Sequence, residues 1–273
     1  MAAAEPQNPL DYAVYARDRD VMNMVRKSLA AGQAQLAFQP VIAAADSTTV
    51  AFYEGLIRLR DSTGRIIPAG QFMGEVEETV LGREIDCASL RLGLEVLRNN
   101  PSMRLAVNMS ARSLADGKWR RTLTAGLNRG RDIGSRLILE ISETSAMQLH
   151  EVLIRFMEDM QPHGVNFSLD DFGAGLIAFQ RLKDFYFDMV KIDRCFIHNI
   201  QESPDNQVMT EALINVAQQF EMFAVAEGVE TAAEASLLCE MRIDCLQGYH
   251  FGAPRLSIYS LSMIAAVQRN NVA

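Results

Sequence analysis

Cysteine, positive charge and long apolar runs are all scarce in this chain, and each shortage excludes a class of protein. Cys87, Cys195, Cys239 and Cys245 are the only cysteines in 273 residues, and none stands in a Cys-x-x-Cys pair. They are too few for a disulfide framework and are read as reduced thiols. No stretch approaches the roughly 18 apolar residues of a membrane span, and the opening MAAAEPQNPL lacks the basic-then-apolar order of an export signal. A cytoplasmic protein with no membrane span is therefore expected. Against 34 Asp and Glu stand 26 Lys and Arg, a formal charge of −8 that makes polymeric nucleic acid a poor partner. His150, His163, His198 and His250 share no spacing that would gather a zinc ion. No linker-like stretch or internal repeat divides the sequence. A flexible tail over 1–15 and one domain over 16–273 are expected, a length that suits a single α/β barrel.

What the chain does have is alternation of two patterns. Arg17 to Gly32 carries apolar residues at helical spacing and ends on glycine, which predicts an amphipathic helix. Two strand-like runs follow, 35–44 and 48–59, separated by Ala45-Asp46-Ser47 in the manner of a hairpin. Thereafter short apolar runs at 104–110, 136–142, 165–171, 188–193, 223–228 and 244–249 alternate with helical patterns over 69–98, 111–128, 145–162, 176–183, 205–220, 231–241 and 256–269. The near-continuous Val, Ile, Leu and Phe runs predict strands buried on both faces. With the hairpin they number eight, which favours an α/β fold of the (β/α)8 TIM-like barrel type over an open sheet.

In such a barrel the site is built at the C-terminal ends of the strands. The second strand is read as ending in Glu54; Asn108, Glu140, Asp170, Asp171, Lys191, Glu227 and Gln247 follow at successive strand ends. So many carboxylates at one mouth cannot all stay ionised without cations between them, and hard oxygen donors of this kind suit Mg²⁺ or Mn²⁺. Two such ions form a clamp for attack on a phosphoryl centre. Each residue also has a plainer reading. Asp170-Asp171 before Gly173-Ala174-Gly175 can be a turn with capping side chains, Asn108 can cap the next helix, and Glu54 or Glu140 can be half of an ion pair. Lys191 is harder to explain away, because alternation between Val190 and Ile192 turns a cation into the barrel, where it needs anionic company.

Eight ordered segments carry a family resemblance: Phe38-Gln39-Pro40, 53–58 (YEGLIR), 107–114 (VNMSARSL), 139–143 (LEISE), 170–175 (DDFGAG), 191–197 (KIDRCFI), 226–231 (AEGVET) and 247–254 (QGYHFGAP). From about 18 to 270 the chain resembles the EAL domain family of cyclic-di-GMP phosphodiesterases. The resemblance implies a barrel with one antiparallel strand, a homodimer, and hydrolysis of cyclic di-GMP to linear pGpG with two divalent cations, Mg²⁺ or Mn²⁺, and inhibition by Ca²⁺. It implies that Glu54, Asn108, Glu140 and Asp170 hold one metal and Asp170 with Asp171 the second. Lys191 would contact the attacking water, Glu227 accept its proton, and Gln247 complete the metal and water shell. Gln39 and Arg58 would bind substrate, the guanidinium offering paired donors to phosphate, with Leu56 lining the groove. Glu143 would steady the loop after the aspartate pair, and Glu230 would be a supporting carboxylate.

The chain departs from the family at two places, the first of them minor. Gly55 stands for the alanine of Glu-Ala-Leu, and Leu176-Ile177-Ala178 for the usual Tyr-Ser-Ser, which removes hydroxyls that order the loop carrying Asp171. The second departure keeps an alternative in view, a weakly active or inactive cyclic-di-GMP receptor or interaction module acting through a partner. Since no cyclase or sensor segment is read before the barrel, a regulatory protein partner is expected to supply any input.

Overall fold

Helical spacing becomes α1 (Pro9–Ala30), which begins inside the stretch read as a tail and stops where Gly32 turns the chain through a positive φ of 67°. The computed structural model describes residues 9–130, 132–175 and 179–258. Among the described residues nine strands follow the helix: β1 (Ala34–Ala43), β2 (Val50–Arg60), β3 (Ile66–Pro68), β4 (Leu105–Asn108), β5 (Leu137–Ser142), β6 (Asn166–Phe172), β7 (Met189–Ile192), β8 (Phe223–Ala226) and β9 (Cys245–Gln247). Strands β2 and β4 to β9 run parallel, β1 closes the ring antiparallel to both β2 and β9, and β3 pairs outside it on β2. The result is a closed eight-strand barrel with one reversed strand and one extra edge strand. The short β3 was not expected from the sequence.

Around the barrel lie α2 (Met73–Val76), α3 (Val80–Asn99), α4 (Gly117–Leu127), α5 (Glu143–Gln148), α6 (His150–Met160), α7 (Phe179–Leu182), α8 (Arg194–Ile197), α9 (Pro204–Gln219) and α10 (Ala232–Glu240). The helical pattern over 69–98 breaks because Thr79 caps α3, its hydroxyl accepting from Leu81 N. The pattern over 111–128 likewise gives a 3₁₀ turn and then α4, because Asp116 accepts from Lys118 N and Trp119 N. Of the helix expected over 176–183, residues 176–178 lie outside the described residues, as does nearly all of that over 256–269. Among the described residues no helix is long and apolar enough to cross a membrane.

The barrel interior explains where the site must be. Val41, Phe52, Ala106, Ile138, Met189 and Val225, from six different strands, pack into one small cluster that fills the lumen. Side chains on a strand repeat their direction every two residues. Two positions beyond these residues along each parallel strand stand Glu54, Asn108, Glu140, Lys191 and Glu227, and two positions before Val41 on the reversed strand stands Gln39. The apolar plug therefore forms the floor on which a polar layer rests. Glu54 is not a strand end, as the sequence suggested. β2 continues six residues past it, because its antiparallel pairing with β1 carries a two-stranded ribbon beyond the rim.

Candidate active site

At the centre of the polar layer is Lys191, 1% exposed. Its Nζ lies 2.5 Å from Glu227 Oε1, 3.3 Å from Glu54 Oε2, 3.3 Å from Asp170 Oδ1 and 3.5 Å from Glu140 Oε2. Asn108 donates from Nδ2 to Glu54 Oε1 at 2.8 Å and to Glu140 Oε2 at 3.4 Å. Gln247 Nε2 donates to Glu54 Oε2 at 2.5 Å and to Gln39 Oε1 at 3.3 Å, and Gln39 donates in turn to the Gly252 carbonyl at 3.1 Å. Eight of the residues singled out in the sequence thus form one connected network drawn from seven strands and the loop after β8.

Adjacent residues of a regular strand point to opposite faces, so Asp170 and Asp171 should not share a site. They do because β6 is irregular here. Its register against β7 shifts between Leu169 and Phe172, and Asp171 takes a left-handed φ of 58°, a conformation that costs a non-glycine residue about 1 kcal/mol or more. Carboxylate oxygens of Asp170, Asp171 and Glu227 come within 4.8 Å of one another. The loop that follows is held from below by buried Glu143, which accepts from Gly173 N at 3.2 Å. Its Oε1 lies where a Cβ on Gly175 would be, so that glycine is required for the close approach.

Burial would strip the proton from Lys191, but Asp170, Glu140, Glu227 and Glu54 hold its pKa well above the ordinary lysine value. Burial also works on the acids. It raises Glu140 far above the usual carboxylate range with help from Glu54, against Lys191. It raises Glu227 to about 8 although Lys191 opposes it, and Asp171 to about 6, with the negative charges of Asp170 and Asp193 adding to the effect. Glu54 is the exception, since Lys191, Gln247 and Asn108 outweigh burial and hold it below its ordinary value. A single lysine does not neutralise the set. Glu140 Oε1 and Gln247 Oε1 are buried with no hydrogen-bond partner. A hard, oxygen-only donor set with an orphaned carboxylate oxygen fits a divalent cation such as Mg²⁺ or Mn²⁺.

The mouth has two lobes. A cavity of about 720 Å³ is lined by Gln39, Lys191, Glu227 and Gln247 together with Arg194, His198, Glu230 and Tyr249. A smaller one of about 320 Å³ lies toward α3, and both share Glu54, Leu56 and Asp170. Arg58 follows Glu54 and Leu56 on the same face of the ribbon, one pleat further out. Its Nη1 donates to the Ile57 carbonyl, and burial lowers its pKa, an effect that Glu54 and Tyr249 partly offset. Glu230 stands apart, exposed on the cavity wall. Its N–H donates to Glu234 Oε2 at 2.7 Å.

Two supporting acids were not singled out in the sequence. Glu234, fully buried, also accepts from Thr231 N and, across to the neighbouring loop, from Asn199 N. Thr231-x-x-Glu234 is a capping box, a signal legible in the sequence. Asp86 in α3 accepts from Ser110 N at 2.9 Å and Ser113 Oγ at 2.6 Å, which fixes the segment leading away from Asn108. An acid on the apolar face of a helix was its only mark.

The EAL domain profile matches residues 22–254. Cyclic di-GMP phosphodiesterase NbdA of Pseudomonas aeruginosa is 31% identical over 235 residues, 84% of this chain and 30% of that protein. Cyclic di-GMP phosphodiesterase PdeR of Escherichia coli is 29% identical over 234 residues, 84% of this chain and 35% of that protein. The chain spans about a third of the length of these curated relatives. Among solved structures, the PaMucR phosphodiesterase in complex with c-di-GMP is similar with a TM-score of 0.76 at 29% identity, over 86% of this chain and 97% of that one. The FimX EAL domain from Pseudomonas aeruginosa bound to c-di-GMP has a TM-score of 0.80 at 24% identity, over 89% and 99%, a likeness of fold.

Proposed function

Because the chain belongs to the EAL domain family, we propose that it hydrolyses cyclic di-GMP to linear pGpG with two divalent cations, Mg²⁺ or Mn²⁺. The observation that carries this reading is the convergence of five carboxylates on one mouth, with Glu140 Oε1 buried and unpartnered. Glu54, Asn108, Glu140 and Asp170 would hold one cation, Asp170 and Asp171 the second, with Gln247 completing the shell. When bound, the ions supply neutralisation of charge on the phosphoryl oxygens and acidify water. Gln39 and Arg58 bind the substrate phosphate, and Leu56 lies between the two lobes, each of which takes one half of a two-fold symmetric dinucleotide. Glu227 Oε1, 2.5 Å from Lys191 Nζ, accepts a proton from the attacking water. Lys191 Nζ, kept charged by its four acids, donates to that water and holds it in line. The water oxygen bonds to phosphorus as the P–O bond to a ribose 3′ oxygen breaks, that oxygen leaves as a hydroxyl with a proton from solvent, Glu227 returns its proton to solvent, and the phosphate stays on the 5′ side. A cytoplasmic location and a homodimer accompany this reading.

Purified protein with cyclic di-GMP and Mg²⁺ or Mn²⁺ should yield pGpG, stopped by a chelator and inhibited by Ca²⁺. Binding without turnover would replace the enzyme reading with that of a receptor, which Leu176-Ile177-Ala178 favours. Restoring Tyr-Ser-Ser at 176–178 separates the two. A raised rate and a lower Mg²⁺ requirement would show that these residues only loosen the loop, and a variant that binds but never hydrolyses would support the receptor.

A further inference from the structure

On the outer wall of the barrel, α3 and α4 enclose a groove of about 490 Å³ that shares no lining residue with the two lobes of the mouth. Arg91 and Arg98 line it from α3, Lys118 and Arg121 from α4, and Arg129 from the turn beyond. Glu95 is the one acid among the lining residues. Among the described residues none of Arg91, Arg98, Arg121 and Arg129 makes a salt bridge. Five of the 26 basic residues of a chain with charge −8 thus gather on one concavity, largely without internal counter-charge. Solvated arginines are ordinary on a surface, but like charges repel and normally spread or intersperse with acids.

The backbone brings them together. Gly126 faces Leu94 so closely that a Cβ there would overlap the leucine side chain, so the two helices lie nearly in contact and their cationic rows converge. Leu94, Ala125, Gly126 and Ile133 supply a small apolar floor between the charged walls. Toward the rim a second depression shares Lys118 and Arg121 and adds Arg83 and Arg112, with Asp116 as its one acid and Arg112 paired to Glu78. It therefore reaches the segment that follows Asn108.

We propose that this groove docks a short acidic, amphipathic segment of a partner protein, its carboxylates on the arginine walls and its apolar side chains on the floor. Charge complementarity selects an anion, and shape selects among anions. A flat bilayer cannot enter a concavity between two helices, and the lining has no aromatic ring on which a nucleic-acid base would stack. The overall −8 charge repels a polyphosphate backbone far more than a segment bearing a few carboxylates. The 11 residues of α4 extend about 16 Å, room for three turns of a helix laid in the groove.

The test is fluorescence anisotropy with a labelled peptide of about 16 residues, leucine on one face and glutamate on the other. Its lysine twin, phosphatidylserine vesicles and a single-stranded oligonucleotide serve as competing probes. The acidic peptide should bind, weaken as salt rises, and lose about tenfold or more in affinity to Arg91→Glu/Arg121→Glu. Retained hydrolysis and an unchanged circular dichroism spectrum would show that this variant is folded. Failure of the acidic peptide to bind, equal binding to the variant, or equal binding of the lysine twin overturns the proposal. So does variant-sensitive binding of vesicles or oligonucleotide in the absence of peptide binding.

Discussion

Replacing Lys191 by alanine removes the one cation that four carboxylates face at 2.5 to 3.5 Å. Breaking a buried charge pair by deleting one partner typically costs about 3–5 kcal/mol, because the remaining charges lose their compensation without regaining water. Here the loss depends on pH and on cations. Burial already raises Glu140 and Glu227, and without Lys191 the acids bind protons more tightly still. The destabilisation should thus be full in mildly alkaline buffer and shrink as pH falls and protons take the place of the ammonium. Urea unfolding of wild type and Lys191→Ala in chelator should show this gap at pH 8.5, a smaller one at pH 5.5, and partial recovery with Mn²⁺. Nucleotide binding should largely survive while kcat falls by about 10²-fold or more, the scale for losing a group that acts on the attacking water. Equal stability of the two proteins at both pH values would refute the electrostatic account. A loss of affinity with kcat unchanged would refute the assigned role.

Glu54→Ala and Asp170→Ala should each abolish pGpG formation, and unchanged turnover in either would remove the carboxylate cluster from the chemistry. Arg58→Ala should weaken binding by about 1.5–3 kcal/mol, roughly 10- to 150-fold in Kd, with a smaller effect on saturated turnover. Titration of the Ca²⁺-loaded protein reads this, and wild-type affinity would exclude the phosphate contact. Burial raises Asp86 from 3.8 to about 6, so the folded state holds that proton more tightly than the unfolded chain does. Its favourable contribution is complete below the unfolded value and disappears as pH rises through about 6, a change of about 3 kcal/mol. Asp86→Asn keeps an oxygen acceptor for Ser110 and Ser113 and should therefore gain stability over wild type from pH 5 to 7.5; parallel pH profiles for the two would contradict the shift.

The barrel and most of the site were legible because both depend on short-range alternation. A cation between Val190 and Ile192 must face the lumen whatever the rest of the chain does, and the same parity set Glu140 and Asn108. Asp171 could not be placed by parity, since its position needs a left-handed residue in a strand that slips against its neighbour, and aspartate carries no mark of that. Helical periodicity ran through Thr79 and Asp116 without noticing them, although both are capping residues and their side chains end one helix and begin another. The local pattern places Glu54 at a strand end, since a hairpin's length beyond a rim depends on its partner β1, which that pattern does not show. Glu234 and Asp86 act on backbone N–H groups of neighbouring loops, contacts that arise only once the fold brings those loops together.

The reversed strand decides where the first helix sits. In an all-parallel barrel the first strand starts at the foot, away from the mouth. Here β1 descends from the rim, so α1 comes to rest beside the entrance, with Ser28 Oγ on the Arg60 carbonyl at 3.0 Å and Arg17 reaching Glu75 at 3.4 Å. The ribbon it grips carries Leu56 and Arg58, paired with Ala37 and Gln35 on β1. A displacement of α1 would therefore reach the outer end of this ribbon first, while Glu54 and the other carboxylates sit below it in the closed ring.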